Sequence, residues 1–222
     1  EAKSLDDLYQ VLTDLRKFKV LDPACGSGNF LFIAYKEMKL LEKRLISLIR
    51  AKSTTNREYA KRLVKFLQNN HFVSTKQFYG IDINDFAVEL ARVTLMVAKE
   101  LWVTDNKMDF DREKALPLDN LDMNIIRTDA LFSEWPEADA IIGNPPYQSK
   151  NKMQQEFGAE YVNKLRNAYS EVPGRADFCV YWFYKAHKHL KENCYAGLVG
   201  TNTIRQNYSR EGSLEYIVKN GC

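Results

Sequence analysis

A short apolar segment that ends in an acidic, glycine-containing turn and then becomes a long helix most constrains the fold of this chain. Lys19-Val20-Leu21 predicts a strand that leads into Asp22, and Gly26 and Gly28 follow before a helix that begins near Asn29. The glycines let backbone approach a ligand where a Cβ would clash, and the free N–H groups of a helix N-terminus attract a carboxylate or phosphate. Strand, glycine turn and helix together open a nucleotide-type α/β fold.

The spacing separates this turn from two other phosphate-binding loops. The dinucleotide pattern G-x-G-x-x-G requires a third glycine where this chain has Leu31, and no Gly-Lys-Ser/Thr follows as in a P-loop. The helix after the turn carries apolar residues three and four positions apart, which predicts one buried face. That face comprises Phe30, Ala34, Met38, Leu41, Leu45 and Leu48.

Two further strands are predicted to end, like the first, in an acidic residue. Residues 77–81 lead into Asp82, and residues 124–128 lead into Asp129. Open α/β sheets bind ligands at the carboxyl ends of their strands, so Asp22, Asp82 and Asp129 are expected in register along such an edge. A ligand with an amine, a ribose and a base fits three carboxylates in a row.

The segment Asn144-Pro145-Pro146-Tyr147 follows a fourth predicted strand, residues 138–143, and suits a site that grips an amine. Two prolines fix φ and remove two backbone donors. The side-chain oxygen of Asn144 and the carbonyl of Pro145 can then accept the two hydrogens of an aromatic amine, and Tyr147 offers a ring for stacking. The structural alternative is a rigid Asn-Pro turn after a strand.

The segments between these motifs have simpler interpretations. Residues 50–76 predict a solvated helical insertion, which accounts for the long gap between the first two acidic strand ends, and residues 103–120 predict a polar loop. Asn84 or Asp85 is expected to cap the helix after the second strand. The buried face predicted for that helix comprises Ala87, Leu90, Ala91, Thr94, Val97 and Leu101.

A basic segment, residues 148–175, comes directly after the tyrosine of the amine-binding motif. It predicts either a surface that follows a phosphate backbone or a solvated mobile loop. Its cations are Lys150, Lys152, Lys164, Arg166 and Arg175. Asp177 then opens a predicted helix whose aromatic rings are mostly core, and residues 196–200 predict a fifth strand.

Composition excludes few classes of protein. The 222 residues are enough for one sizeable domain, no apolar run reaches transmembrane length and no signal peptide is visible. The four scattered cysteines form no pair or His/Cys cluster with zinc spacing, so we expect no metal site and a reduced, cytoplasmic protein. The net charge of +3 neither requires nor excludes a nucleic-acid partner.

Three sequence strings follow one another along the chain: DPACGSGNF at 22–30, GIDIN at 80–84 and NPPY at 144–147. They resemble the class I S-adenosylmethionine-dependent DNA adenine methyltransferases of gamma motif order. The strings ADFCVYW at 176–182 and TNTI at 201–204 resemble the MmeI-like restriction–modification enzymes. The resemblance implies an α/β, Rossmann-like class I methyltransferase with a doubly wound, mostly parallel sheet. It also implies that residues 1–222 are a C-terminally truncated catalytic domain without its target-recognition region.

The resemblance also implies the residue roles. Asn144, Pro145, Pro146 and Tyr147 would be catalytic and hold a flipped adenine for methylation at N6. S-adenosylmethionine would be the cofactor, with its methionine amine near Asp22, its ribose at Asp82 and its adenine amine at Asp129. Ile83 would pack on the adenine, and Leu131 or Phe132 would pack beside it. The full set of implied cofactor-binding residues is Asp22, Ala24, Cys25, Gly26, Gly28, Asn29, Phe30, Asp82, Ile83, Asp129, Ala130 and Leu131.

The implied partner is double-stranded DNA, bound through the missing recognition region and through residues 148–175, with a fused nuclease or restriction subunit as a further expectation and no membrane. The alternatives are an NPPY-type protein-glutamine or RNA-guanine methyltransferase and a non-catalytic cofactor-binding domain. Methylation of a cytosine ring carbon needs a cysteine nucleophile, and none adjoins residues 144–147, whereas methylation of the cytosine amine stays open. Residues 205–207 depart from the Gln-Gly often found in related chains, so no role is assigned to them.

Overall fold

The computed structural model describes residues 4–53, 61, 65–66, 72–105 and 120–221. Within them, five strands form one sheet in the order β3-β2-β1-β4-β5, and every neighbouring pair is parallel. The strands are β1 (Val20–Asp22), β2 (Phe78–Asp82), β3 (Ile125–Arg127), β4 (Ala140–Gly143) and β5 (Tyr195–Leu198). The predicted doubly wound α/β architecture is therefore confirmed, and each predicted strand lies within one or two residues of its expected position.

The strand order reverses direction between β1 and β4. From β1 the sheet grows one way through β2 and β3, and the other way through β4 and β5. Such a reversal opens a crevice at the carboxyl ends of the two central strands, which is where doubly wound sheets bind ligands. Asp22 is the last residue of β1, and Asn144 directly follows β4. The predicted cofactor-binding turn and the predicted amine-binding segment therefore face each other across this crevice.

Helices cover the sheet, and two of them begin with a side-chain cap. The first helix has a capping box, since Ser4 and Asp7 each accept the other's backbone N–H. Asn84 caps the third by accepting the N–H of Ala87 at 3.1 Å, as predicted. The helices are α1 (Leu5–Leu15), α2 (Asn29–Ser53), α3 (Asp85–Asp105), α4 (Lys150–Ala168), α5 (Val180–His189), α6 (Asn207–Arg210) and α7 (Tyr216–Asn220).

The two faces of the sheet carry two separate hydrophobic cores. Val20 and Phe78 belong to the core that α1, α2 and α3 cover, whereas Leu21 and Ile81 belong to the core that α4 and α5 cover. Neighbouring residues of β1 and β2 thus point to opposite faces of the sheet. Both faces are covered at these two strands, which explains why they are mostly apolar up to their terminal aspartates. Most rings of α5 are in the second core, as predicted.

The predicted buried faces of α2 and α3 are wrong by about one residue. In α2, Phe30, Leu41 and Leu48 are exposed, and only Met38 and Leu45 of the predicted set are buried. The α2 core residues are Leu31, Tyr35, Met38, Leu45 and Ile49. In α3, Leu90, Val97 and Leu101 are exposed, and the core residues are Val88, Ala91, Leu95, Met96 and Ala98. The sheet selects the face: Tyr35 packs edge-on against Phe78 of β2, with ring centroids 5.6 Å apart.

The basic segment after the amine-binding motif is a helix, which corrects the predicted loop. Ser149 precedes α4, and the helix runs to Ala168 with a kink at Gly158, whose φ is +81°. The predicted loop at 103–120 is helical up to Asp105, and residues 106–119 lie outside the described residues. Most of the predicted insertion at 50–76 also lies outside them. Across the part of the chain that is described, no helix combines the length and apolar character needed to cross a membrane.

Candidate active site

Backbone N–H groups of the glycine turn are held by the carboxylates at the ends of β1 and β2. Asp22 accepts the N–H of Ala24 through Oδ1 at 3.0 Å, and Asp82 accepts the N–H of Gly26 through Oδ2 at 3.0 Å. The N–H of Cys25 donates to the carbonyl of Ile81 at 3.0 Å. Hydrogen bonds therefore join the turn to both strand ends, which brings together five of the predicted cofactor residues: Asp22, Ala24, Cys25, Gly26 and Asp82.

Two glycines make this close packing possible. Gly28 has φ +83°, and a Cβ there would lie 3.0 Å from the Cα of Ala91 in α3. Gly80 in β2 lies under the turn, where a Cβ would come within 2.9 Å of the sulfur of Cys25. Both contacts leave no room for a side chain, so the turn packs directly on α3 and β2.

Asp22 is the most perturbed carboxylate at this edge. Its side chain is 1% exposed, and Oδ2 has no hydrogen-bond partner. Burial, opposed by the Ala24 N–H and reinforced by the charge of Asp82, raises the pKa of Asp22 to about 7. An ionised, buried oxygen without a donor is costly, and a cationic ligand group would remove that cost.

The cysteines near the site are poor nucleophiles. Burial, together with the charges of Asp22 and Asp82, raises the pKa of the Cys25 thiol well above its usual range. Cys179 also lies near Tyr147, a proximity that the sequence did not reveal. Burial, with a contribution from Cys179, raises the pKa of the Tyr147 hydroxyl. Cys179 is fully buried, and burial raises its thiol pKa, so it offers no thiolate for attack on a base.

The loop that follows β3 is held by side chains from α4 and α5. The Tyr161 hydroxyl donates to Oδ2 of Asp129 at 2.9 Å, and the N–H of Leu131 donates to Oδ1 at 2.9 Å. The Tyr169 hydroxyl donates to the carbonyl of Leu131, and the Lys185 ammonium donates to the carbonyl of Ala130 at 2.7 Å. Sequence analysis missed these residues because no local pattern links α4 or α5 to a strand end tens of residues earlier.

The segment after β4 presents an exposed amide and an exposed ring. Asn144 is exposed and Pro145 is buried, while the Tyr147 ring is 41% exposed. The Tyr147 hydroxyl donates to Oδ1 of Asn144. This bond joins the amide to the ring, so the side chains predicted for amine binding and for base stacking lie together. The carbonyl of Gln148 then accepts the N–H of Phe178 at 2.9 Å, which ties the segment to the entry of α5.

The glycine turn after β1 and the segment after β4 contact each other through Asp22 and Gly143. A Cβ on Gly143 would lie 2.5 Å from Oδ1 of Asp22, so the backbone before Asn144 rests against the buried carboxylate. From the other side, the Trp182 indole N–H donates to the carbonyl of Pro23 at 3.4 Å. The glycine turn and the asparagine-proline segment therefore form one continuous surface at the switch point, where the strand order reverses between β1 and β4.

Comparison with known proteins identifies the family to which this arrangement belongs. A family model described as the DNA-methyltransferase domain of MmeI matches residues 1–222. The chain belongs to the MmeI DNA-methyltransferase family. The fold agrees with a solved structure of the Type IIL restriction–modification enzyme MmeI in complex with DNA, at a TM-score of 0.68 and 24% identity over 98% of this chain.

Two curated proteins resemble this member of the MmeI family in sequence. DNA methyltransferase A of Bacillus subtilis (strain 168) is 31% identical over 216 residues, covering 90% of this chain. A putative type II restriction enzyme and methyltransferase of Methanocaldococcus jannaschii is 39% identical over 97 residues, covering 44% of this chain. The chain spans only 22% and 7% of these relatives and 29% of the MmeI chain.

The remaining cofactor residues expected from the family resemblance differ in accessibility. Asn29 and Phe30 lie exposed at the start of α2, and Ile83, just after β2, is 67% exposed. These three can therefore reach a ligand at the sheet edge. Ala130 and Leu131 are 6% and 3% exposed and belong to the second core, so their side chains support the loop from beneath.

The cations of residues 148–175, which predicted either a surface along a phosphate backbone or a solvated loop, differ in their surroundings. Lys164 lies 4.2 Å from the centroid of the Phe132 ring, and Arg175 lies 5.7 Å from that of Tyr208. Arg166 interacts with the buried Tyr181 hydroxyl. Lys152 at the start of α4 is exposed, a few residues beyond Tyr147.

The opposite edge of the sheet carries a basic cavity of about 490 Å³. It is formed at the amino ends of β1 and β2, and it contains none of the predicted site residues. Its lining consists of Arg16, Lys17, Lys19, Phe72, Ser74, Lys76 and Gln77. Among the described residues, no group of three or more His, Cys, Asp or Glu side chains is arranged to hold a metal ion.

Proposed function

We propose that this chain transfers a methyl group from S-adenosylmethionine to the exocyclic N6 amine of an adenine in DNA, within a restriction–modification protein. The observation that carries the proposal is the contact of two loops at the switch point between β1 and β4, one built on Asp22 and the other on Asn144. Membership of the MmeI DNA-methyltransferase family and the names of the two relatives support it.

The donor side offers a buried carboxylate oxygen that lacks a partner. Oδ2 of Asp22 is buried and unpaired, and a ligand ammonium would supply both the hydrogen bond and the opposite charge. We assign Asp82 to the ribose hydroxyls and Asp129 to the adenine amine, because each carboxylate keeps free lone pairs after its two observed hydrogen bonds. S-adenosylmethionine, when bound, supplies an electrophilic methyl group on a positively charged sulfur.

The acceptor side provides hydrogen-bond acceptors for an amine. The Asn144 side-chain oxygen and the Pro145 carbonyl would accept its two hydrogens, which leaves the nitrogen lone pair free to attack. The Tyr147 hydroxyl holds the Asn144 oxygen, and its exposed ring offers a stacking surface for a planar base. A base in a duplex must be flipped out to reach such a pocket. These residues therefore act by positioning the amine rather than by deprotonating it.

Contact with the DNA backbone is assigned to the start of α4. Lys152 is exposed and follows the proposed base-stacking ring by only five positions, so it can contact a phosphate beside a flipped nucleotide. Lys164, Arg166 and Arg175 already contact aromatic side chains of this chain, and we assign them no role in DNA binding.

The test is Asn144→Ala in the full-length protein, with the exposed Asn163→Ala as the matched control on α4. Methyl incorporation into duplex DNA should fall by about a hundredfold to a thousandfold, as when a preorganised electrostatic group is removed, while S-adenosylmethionine binding measured by calorimetry stays intact. Unchanged methylation in Asn144→Ala would instead favour a non-catalytic cofactor-binding domain.

The methylated base is identified by mass spectrometry of nucleosides released from DNA treated with the wild-type protein. N6-methyladenine is the expected product. Methylation of cytosine, or of RNA or protein with none in DNA, would contradict the assignment of the acceptor.

A further inference from the structure

Tyr161 fixes the orientation of Asp129, the third acidic residue at the edge of the sheet. Its hydroxyl donates to Oδ2 at 2.9 Å, while Oδ1 accepts the backbone N–H of Leu131. With one donor on each oxygen, the carboxylate plane has no freedom to rotate. Both side chains are only half-buried, so the remaining lone pairs of Asp129 stay open to a ligand.

The Tyr161 ring is held on two sides, so the position of its hydroxyl is also fixed. Phe132 packs edge-on against it with centroids 5.5 Å apart, and Phe157 packs in a tilted arrangement at 5.3 Å. Phe157 in turn packs 4.9 Å from Phe178, whose N–H is bonded to Gln148. The ring is thus part of a chain of aromatic contacts between the β3 loop and the segment after Tyr147.

The Tyr161 hydroxyl keeps its proton, and so remains a donor, well beyond neutral pH. Burial, the hydrogen bond to Asp129 and the charge of that carboxylate all raise the pKa of Tyr161 above its usual range. The protonated hydroxyl occupies one acceptor position on Asp129. The other acceptor positions of the carboxylate are left for donors on a ligand.

We propose that Tyr161 is a positioning residue that orients Asp129 toward the exocyclic amine of the methyl donor and thereby sets selectivity for an adenine over a 6-oxopurine. The proposal rests on the proposed function, because it needs Asp129 at the adenine amine. An amine donates to the fixed oxygen, whereas a 6-oxo group would present an acceptor to an acceptor, which a site built for hydrogen bonding rejects.

The experiment compares binding of S-adenosylmethionine with binding of its 6-oxo analogue, in which hypoxanthine replaces adenine, by calorimetry on the full-length protein. Tyr161→Phe keeps the ring contacts and removes only the hydroxyl. We expect it to weaken S-adenosylmethionine binding by about tenfold and to leave the analogue unchanged, so that selectivity falls by the same factor. Asp129→Asn, which removes the carboxylate directly, should reduce selectivity at least as much.

Tyr169→Phe is the matched control, because Tyr169 is a buried tyrosine directly after α4 whose hydroxyl donates to a backbone carbonyl of the same loop. It should change the affinity for both ligands by the same factor. Unaltered selectivity in Tyr161→Phe, with a wild-type protein that prefers S-adenosylmethionine, overturns the role of Tyr161 and leaves the proposed function intact. A wild-type protein that binds neither ligand overturns both, and Asp129→Asn keeps the test decisive if Tyr161→Phe does not fold.

Discussion

Replacing Asp22 with asparagine should stabilise the ligand-free protein in a pH-dependent way. The pKa of Asp22 is raised from 3.8 to about 7, chiefly by burial, so the folded state binds this proton more tightly than the unfolded state. The free energy of unfolding therefore falls as the pH rises from about 3.8 to about 7. Above about pH 7 the whole of this stability has been lost. Asparagine carries no charge, and its oxygen can still accept the N–H of Ala24, so the variant avoids the loss.

The magnitude follows from the two pKa values. Multiplying the difference between 7 and 3.8 by about 1.4 kcal/mol gives about 4 kcal/mol of lost stability once Asp22 is fully ionised. Asp22→Asn should therefore exceed the wild type by up to about 4 kcal/mol at pH 8. The gain should shrink to about 2 kcal/mol at pH 5, where most of the carboxylate in the folded state is protonated.

Urea denaturation followed by circular dichroism, without methyl donor at pH 5, 6.5 and 8, measures the effect. Glu192→Gln removes an exposed carboxyl and should not reproduce it. A stability difference between Asp22→Asn and wild type that stays constant or shrinks as the pH rises would refute the reasoning. The same variant should bind S-adenosylmethionine more weakly, because it lacks the charge that faces the ammonium.

Two further substitutions test how the site is supported. Gly80→Ala should lower the free energy of unfolding by about 1–3 kcal/mol, because its Cβ would lie 2.9 Å from the sulfur of Cys25. Gly197→Ala, where a Cβ meets no atom within 4 Å, should be nearly neutral, and equal losses in the two variants by thermal denaturation would contradict the steric argument. Lys185→Met should cost about 1–3 kcal/mol by leaving the Ser133 carbonyl without its donor, and unchanged urea stability would show that the bond contributes nothing.

Strand positions and strand ends were predictable because each depends on a few adjacent residues. Short apolar runs ending in Asp22, Asp82 and Asn144 specify both the strand and the point at which it stops. Their meeting at one edge then follows from parallel pairing alone. Residue chemistry predicted an amine-binding segment and a ligand with an amine, a ribose and a base, and the family strings added the expected identity of that ligand, S-adenosylmethionine.

Helix faces were less predictable because α2 and α3 carry apolar residues on more than one side. Periodicity alone selected Phe30, Leu41 and Leu48, but packing on β2 instead buried Leu31 and Tyr35. The role of α4 was missed for a related reason. Its polar composition indicated a solvated segment, and the bond between Tyr161 and Asp129, which are 32 residues apart, depends on the tertiary fold.

The contact between Gly143 and Asp22 has a consequence for how the two loops can vary. With only 2.5 Å available to a Cβ, no side chain can be inserted as a spacer between the carboxylate and the backbone before Asn144. The separation between the loop that carries Asp22 and the loop that carries Asn144 is therefore set by the main chain. Under the proposed function, substrate preference would be altered by exchanging residues that follow Asn144, whereas a longer or shorter distance between the loops would require rebuilding the two central strands.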